Sequence, residues 1–143
     1  MAGNPAYAAT FIRRRETTLD PELKKRPRQH RRVLLHEYFH FAWVRLGNPR
    51  RAAWEALLRS EWEAHVRGEA GWSAEWRKQK LSARDVAERS RRWHEYCCES
   101  FCDTAAFVMD TAPDYSEITL SPGRRRARIV WFHRNFPSHL FAV

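Results

Sequence analysis

From Arg31 to Leu46 the chain contains neither glycine nor proline, and apolar residues fall at positions 34, 35, 39, 42, 43 and 46. That spacing fits a helix with one apolar stripe. The same stretch carries His36, Glu37 and His40 beside the stripe. Positions 36 and 40 lie one turn apart on one helical face, so both imidazoles can reach a single tetrahedral metal ion. Glu37 stands about 100° round the helix, at the open side of such an ion. The helix begins near Arg28, and Gly47-Asn48-Pro49 stops it.

A chain of 143 residues, 43% apolar and 13% aromatic with seven Trp, fits one domain spanning 1–143 with an aromatic-rich core. It carries too much core material for a disordered protein. No stretch approaches the apolar length of a membrane helix, and Met1 to Ala9 followed by Arg13-Arg14-Arg15 lacks a signal-peptide run. A cytoplasmic location with no membrane partner is expected. The three cysteines, 97, 98 and 102, crowd into one predicted helix whose geometry disfavours bridging, so they read as reduced thiols.

Net charge is +9, from 22 Arg and 4 Lys, clustered at Arg13 to Arg15, Lys24 to Arg32 and Arg124 to Arg128. Such a balance attracts polyanions. The clusters are not interleaved with a known nucleic-acid module, so a solvated arginine surface is the simpler reading and nucleic acid a secondary partner.

The other elements follow from breakers and periodicity. Residues 6 to 19 read as one strand closed by Asp20-Pro21, and Pro21 to Gln29 as a basic linker. A second helix runs from Pro49 to about Arg67, with Trp54, Leu57, Leu58, Trp62 and His65 or Val66 inward. Ser73 to Leu81 forms a short helix. Ser82 to Asp85 resembles an N-terminal cap, and the unbroken run from Ala83 to Met109 is one helix, or two meeting near His94. Residues 111 to 123 cross irregularly, with room for a strand at Glu117 to Leu120, before a last helix from about Arg124 to Asn135. The aromatic tail, 131 to 143, is expected to pack on the core, the alternative being that its end lies in or near the cleft and blocks substrate. The class is α+β, mostly helical.

A catalytic zinc takes three protein ligands and leaves a fourth position for water. His36 and His40 supply two, and three patterns compete for the third. A same-helix extension would need Gly and His at the positions of Trp43 and Leu46, which excludes it. A later His would have to be His65 or His94, neither with an evident partner. The third pattern is a Glu on a later helix followed four residues on by an Asp, which Glu99 and Asp103 fit. Glu99 would be the ligand, and Asp103, one turn further, would accept the outer N–H of a ligand His, His36 by preference. Glu95 is the closest rival to Glu99.

Through His36-Glu37-x-x-His40 and Glu99-x-x-x-Asp103 the chain resembles the gluzincin metallopeptidases, the thermolysin-like group. The likeness covers these two helices. It implies a zinc cofactor and a minimal zincin-like domain with a small sheet or edge strand, an active-site helix and a glutamate helix. The strand at 6 to 19 would then bind substrate. Cys98 departs from the family pattern, which usually has Asn before the third ligand. Members often use a Tyr or His to steady the oxyanion, which makes Tyr96, Tyr115 and His133 candidates. Cys98 and Cys102, four apart, read as small buried thiols, since two further soft ligands at suitable spacing are absent.

The expected activity is hydrolysis of peptide or protein substrates by a zinc-activated water, with Glu37 as general base. An extended substrate would lie along Thr10 to Arg15, where the arginines favour acidic groups. The rival readings are a basic nucleic-acid-associated protein with structural or absent zinc, and a zincin-like protein without turnover. Glu37 discriminates against the first, because a structural site has no use for a base beside an open position.

Overall fold

In a computed structural model, which describes residues 8–110 and 115–136, helix dominates and the only sheet among the described residues has two strands. Strands β1 (Ala8–Phe11) and β2 (Glu16–Leu19) form an antiparallel hairpin with Thr10 opposite Thr17. The single strand expected over 6–19 is therefore corrected to two, its first two residues lying outside the described residues. Three successive arginines cannot alternate into a half-buried face. They form an exposed turn, closed by the Arg15 amide donating to Ile12 O at 3.1 Å and by a left-handed Arg15, φ 53°.

The segment read as a linker is also structured. The Asp20 carboxylate accepts the Glu22 amide at 2.9 Å and starts a 3-10 turn, Pro21–Lys25, that buries Leu23. Pro27 then opens α1 (Pro27–Arg45). Helix α2 (Asn48–Glu63) ends earlier than Arg67: Ala64 closes it and His65 turns left-handed, φ 56°. His65 is exposed, whereas Trp54, Leu58 and Glu61 point inward.

Helix α3 (Trp72–Gln79) follows the loop, and α4 (Ala83–Glu88) starts at a capping box between Ser82 and Asp85. Two helices cover 83–109, but they part at Arg89 and Ser90, not at His94. Arg89 is left-handed, φ 50°, and the Ser90 hydroxyl accepts the Trp93 amide to cap α5 (Arg91–Met109). No strand forms at 117–120. A 3-10 turn, Tyr115–Glu117, leads to Thr119 and Leu120, whose amides both donate to the Glu69 carbonyl. Helix α6 (Pro122–Asn135) completes the described chain.

Helix α5 is the central element, with every residue from Ser100 to Phe107 buried. Phe101 lies at the middle of an aromatic core, its ring 5.1 Å from Trp43, 5.2 Å from Phe132, 5.7 Å from Phe136, 5.9 Å from Trp54 and 6.2 Å from Phe39. The front of the expected aromatic tail is thus in the core; residues 137–143 lie outside the described residues.

Behind α5, Arg128 is wholly buried, contrary to its reading as part of a solvated cluster. Its guanidinium donates to Glu61 at 2.6 and 3.1 Å, to Glu69 at 2.7 and 2.9 Å, and to the Ser100 and Thr104 hydroxyls. Tyr96 donates to the same Glu69 carboxylate. This network ties α6, α2, α5 and the loop before α3 together, with its donors matched by acceptors as burial requires. No helix among the described residues is long and apolar enough to cross a membrane.

Candidate metal centre

Helix α1 presents His36 and His40 with ring centroids 5.1 Å apart, and α5 packs across that face. His36 is buried and meets a carboxylate on each nitrogen. Its Nδ1 lies 2.6 Å from Asp103 Oδ1 and its Nε2 lies 2.9 Å from Glu99 Oε2. Glu99 reaches the second ring with its other oxygen, 3.7 Å from His40 Nε2. The structure therefore brings His36, His40, Glu99 and Asp103 to one place, at the α1–α5 crossing.

Helix α3 holds both acids. The second oxygen of Asp103 accepts the Ala74 amide at 2.9 Å, capping α3 where its own N-cap residue, Gly71, has no side chain to offer. A Cβ on Gly71 would stand 2.5 Å from Asp103 Cγ. Only glycine admits the carboxylate there. Glu99 accepts the Ser73 hydroxyl at 3.0 Å and lies 3.6 Å from Arg77 Nη2, while Arg77 donates to Ser73 Oγ at 2.7 Å. Gly71, Ser73 and Arg77 were not legible as site residues; the Ser73–Arg77 spacing of one helical turn was the only available signal.

The charges follow from this packing. Burial opposes ionisation of Glu99, but the hydrogen bond and charge of His36, then His40 and Arg77, hold its carboxyl down at about 2. Burial likewise opposes a charged His36, yet Asp103 and then Glu99 raise it well above the usual imidazole value. For His40, burial is outweighed by Cys98 and Glu99, and its value is also raised. A ring with carboxylates on both nitrogens must donate from both, or else give up its inner proton to a cation that takes the same place.

Glu37 is buried beside this group, and the Thr10 hydroxyl of β1 donates to its Oε2. Thr10 in turn lies 3.2 Å from the Thr17 hydroxyl. The hairpin is thereby fixed over the helix that carries the histidines.

Two thiols complete the wall. Cys98 Sγ lies 3.6 Å from His40 Nδ1, and hydrogen bonds from Cys102 and then His40, against burial, bring its thiol down to about 6. Burial and Cys98 push the Cys102 thiol up. His36, His40 and Cys102 have ligand atoms within 4.8 Å of one another, a group that could hold a metal ion. Cys102 is thus a third donor beside the imidazole pair, and Glu99, outside that group, lies 2.9 Å from His36 Nε2 and 3.7 Å from His40 Nε2.

The remaining candidates lie elsewhere. Glu95 is exposed and pairs with Arg91 at 3.0 Å. His94 is exposed, with Nδ1 3.4 Å from Glu55, and His65 is exposed at the end of α2. Tyr96 is committed to Glu69, and His133 is exposed on α6. Tyr115 opens the 3-10 turn, and its side chain lies outside the described part of the structure. No protein-family model matches the chain, and no curated protein or solved structure matches it either.

Proposed function

We propose that this chain is a zinc-dependent metallopeptidase, an endopeptidase of the gluzincin type, with His36, His40 and Glu99 as ligands and Glu37 as general base. One observation carries the reading: Glu99 meets the Nε2 atoms of both imidazoles while Asp103 occupies the Nδ1 of His36. Two imidazoles and a carboxylate are the donor chemistry of open catalytic zinc sites, and a carboxylate on the outer nitrogen is their usual support. In this reading the hairpin, α1 and α5 are the edge strand, active-site helix and glutamate helix of a reduced zincin-like domain.

Bound there, zinc would supply a water of lowered pKa and a Lewis acid for the substrate carbonyl. The protein's own groups do the rest. Asp103 keeps the His36 proton on Nδ1 and leaves Nε2 as the donor atom. Glu37 is held by Thr10 through Oε2, and its Oε1, which has no hydrogen-bond partner among the described residues, would accept the proton of the attacking water and return it to the leaving amine. Strand β1 pairs only with β2 among the described residues, so its second edge is available to an extended peptide beside Glu37.

The test is metal analysis of protein purified without chelator, followed by hydrolysis of a peptide library by wild type and Glu37→Gln. Stoichiometric zinc in both proteins with hydrolysis by wild type alone is the expected result. A wild type that takes up no zinc sinks the reading, and zinc without hydrolysis removes its enzymatic half.

A further inference from the structure

Helix α5 turns two columns of donors toward α1. Glu99 and Asp103 form one, and Cys98 and Cys102, also four residues apart, form the other. Residues at that spacing stack on one helical face. The carboxylate column engages His36 on both its nitrogens, whereas the thiol column engages His40 through Cys98, 3.6 Å from Nδ1. Cys102, one turn further, is wholly buried, and its sulfur lies within 4.8 Å of ligand atoms of both imidazoles.

Donors of a tetrahedral zinc site, at about 2.3 Å for sulfur and about 2.0–2.1 Å for nitrogen, stand roughly 3.4–3.6 Å from one another. Binding an ion would draw the three donors together from their separations of up to 4.8 Å. Thiolate is also the softest donor in this wall, which suits zinc.

We propose that Cys102 is a thiolate ligand of the ion held by His36 and His40, completing with Glu99 a set of four protein donors. The inference rests on the ligand assignment made above. As the metal–sulfur bond forms, the thiol gives its proton to solvent. Cys102 would hold the fourth position in the substrate-free protein, and during turnover water would take that position as the metal–sulfur bond breaks and the thiol regains a proton.

Cobalt(II) loaded into the full chain reads this directly, because tetrahedral cobalt absorbs in the visible and a thiolate ligand adds an intense near-ultraviolet charge-transfer band. The wild type should show both, Cys98→Ser and Cys97→Ser should keep both, and Cys102→Ser should lose the charge-transfer band while keeping the visible one. If neither Cys102→Ser nor Cys102→Ala folds, retention of the band in the Cys97 and Cys98 variants assigns it to Cys102 by elimination. Visible bands without charge transfer in the wild type overturn the proposal and leave the imidazole site intact. Loss of the band in Cys98→Ser overturns it by moving the sulfur ligand. No cobalt bound by the wild type overturns the proposal together with the metal site on which it rests.

Discussion

Asp103 and His36 are joined by a 2.6 Å hydrogen bond from Nδ1–H to Oδ1, while the other oxygen of the same carboxylate caps α3 through the Ala74 amide. One side chain thus sets the tautomer of a ring and docks a helix. Asn cannot replace it, because its single carbonyl oxygen would face two N–H donors. Asp103→Asn and Asp103→Ala should both weaken zinc affinity by about 10–100-fold, measured by competition against a chromogenic chelator. Gly71→Ala should do the same with Asp103 and His36 both left in place, since its Cβ would meet the carboxylate at 2.5 Å from Cγ. Unchanged affinity in Gly71→Ala would show that Asp103 can move aside at no cost to the ion.

The identity of the acidic ligand is decided by a pair of variants. Glu99 is within 2.9 Å of one imidazole and 3.7 Å of the other, whereas Glu95 is exposed against Arg91. Glu99→Ala should lose most zinc affinity and Glu95→Ala should leave it unchanged. Equal losses would place the site elsewhere on α5.

The helices bearing His36, His40, Glu99 and Asp103 were legible because helical periodicity is local. A run without breakers bounded by Gly47 and Pro49 predicts α1 within about a residue, and four-residue spacings predict which side chains share a face. What escaped was non-local. Nothing in the sequence says that Thr10 meets Glu37, or that Gly71 lies against Asp103, since each is a contact between separate elements. Arg128 escaped for another reason. In composition it is one arginine of a basic cluster, and only the position of Glu61 and Glu69 across the core distinguishes it from its solvated neighbours. The hairpin was missed because the β-branched and aromatic residues flanking Arg13 to Arg15 fit one long strand as well as two short ones.

Glu37 should matter to chemistry and not to folding. Its Oε2 accepts from Thr10, a bond that the carbonyl oxygen of Gln can also accept. Glu37→Gln is therefore expected to bind zinc and melt like the wild type while turnover falls by about 10²–10⁴-fold, the range for a lost general base. Steady-state hydrolysis beside a thermal melt checks it. A melting temperature that drops as far as the activity would make Glu37 a packing residue.

The buried network behind α5 makes stability depend on acid. Burial opposes ionisation of Glu69, but the charge and hydrogen bonds of Arg128, then Tyr96 and the Ala70 amide, hold its carboxyl at about 2, against 4.5 for the free group. The folded value is depressed, so the stabilisation is fully present above about pH 4.5 and is lost as pH falls through about 2. That depression corresponds to on the order of 3 kcal/mol. Urea unfolding of the metal-free chain at successive pH values should show that loss in the wild type and a shallower one in Glu69→Gln. Arg128→Met, which leaves two buried carboxylates without their cation, should cost about 3–5 kcal/mol at neutral pH. Because removing Arg128 also removes the cause of the depression, the variant should regain part of that deficit as Glu69 becomes protonated on acidification. A deficit that stays constant from neutral pH down to pH 4 would show that the guanidinium packs in the core without setting the charge of Glu69.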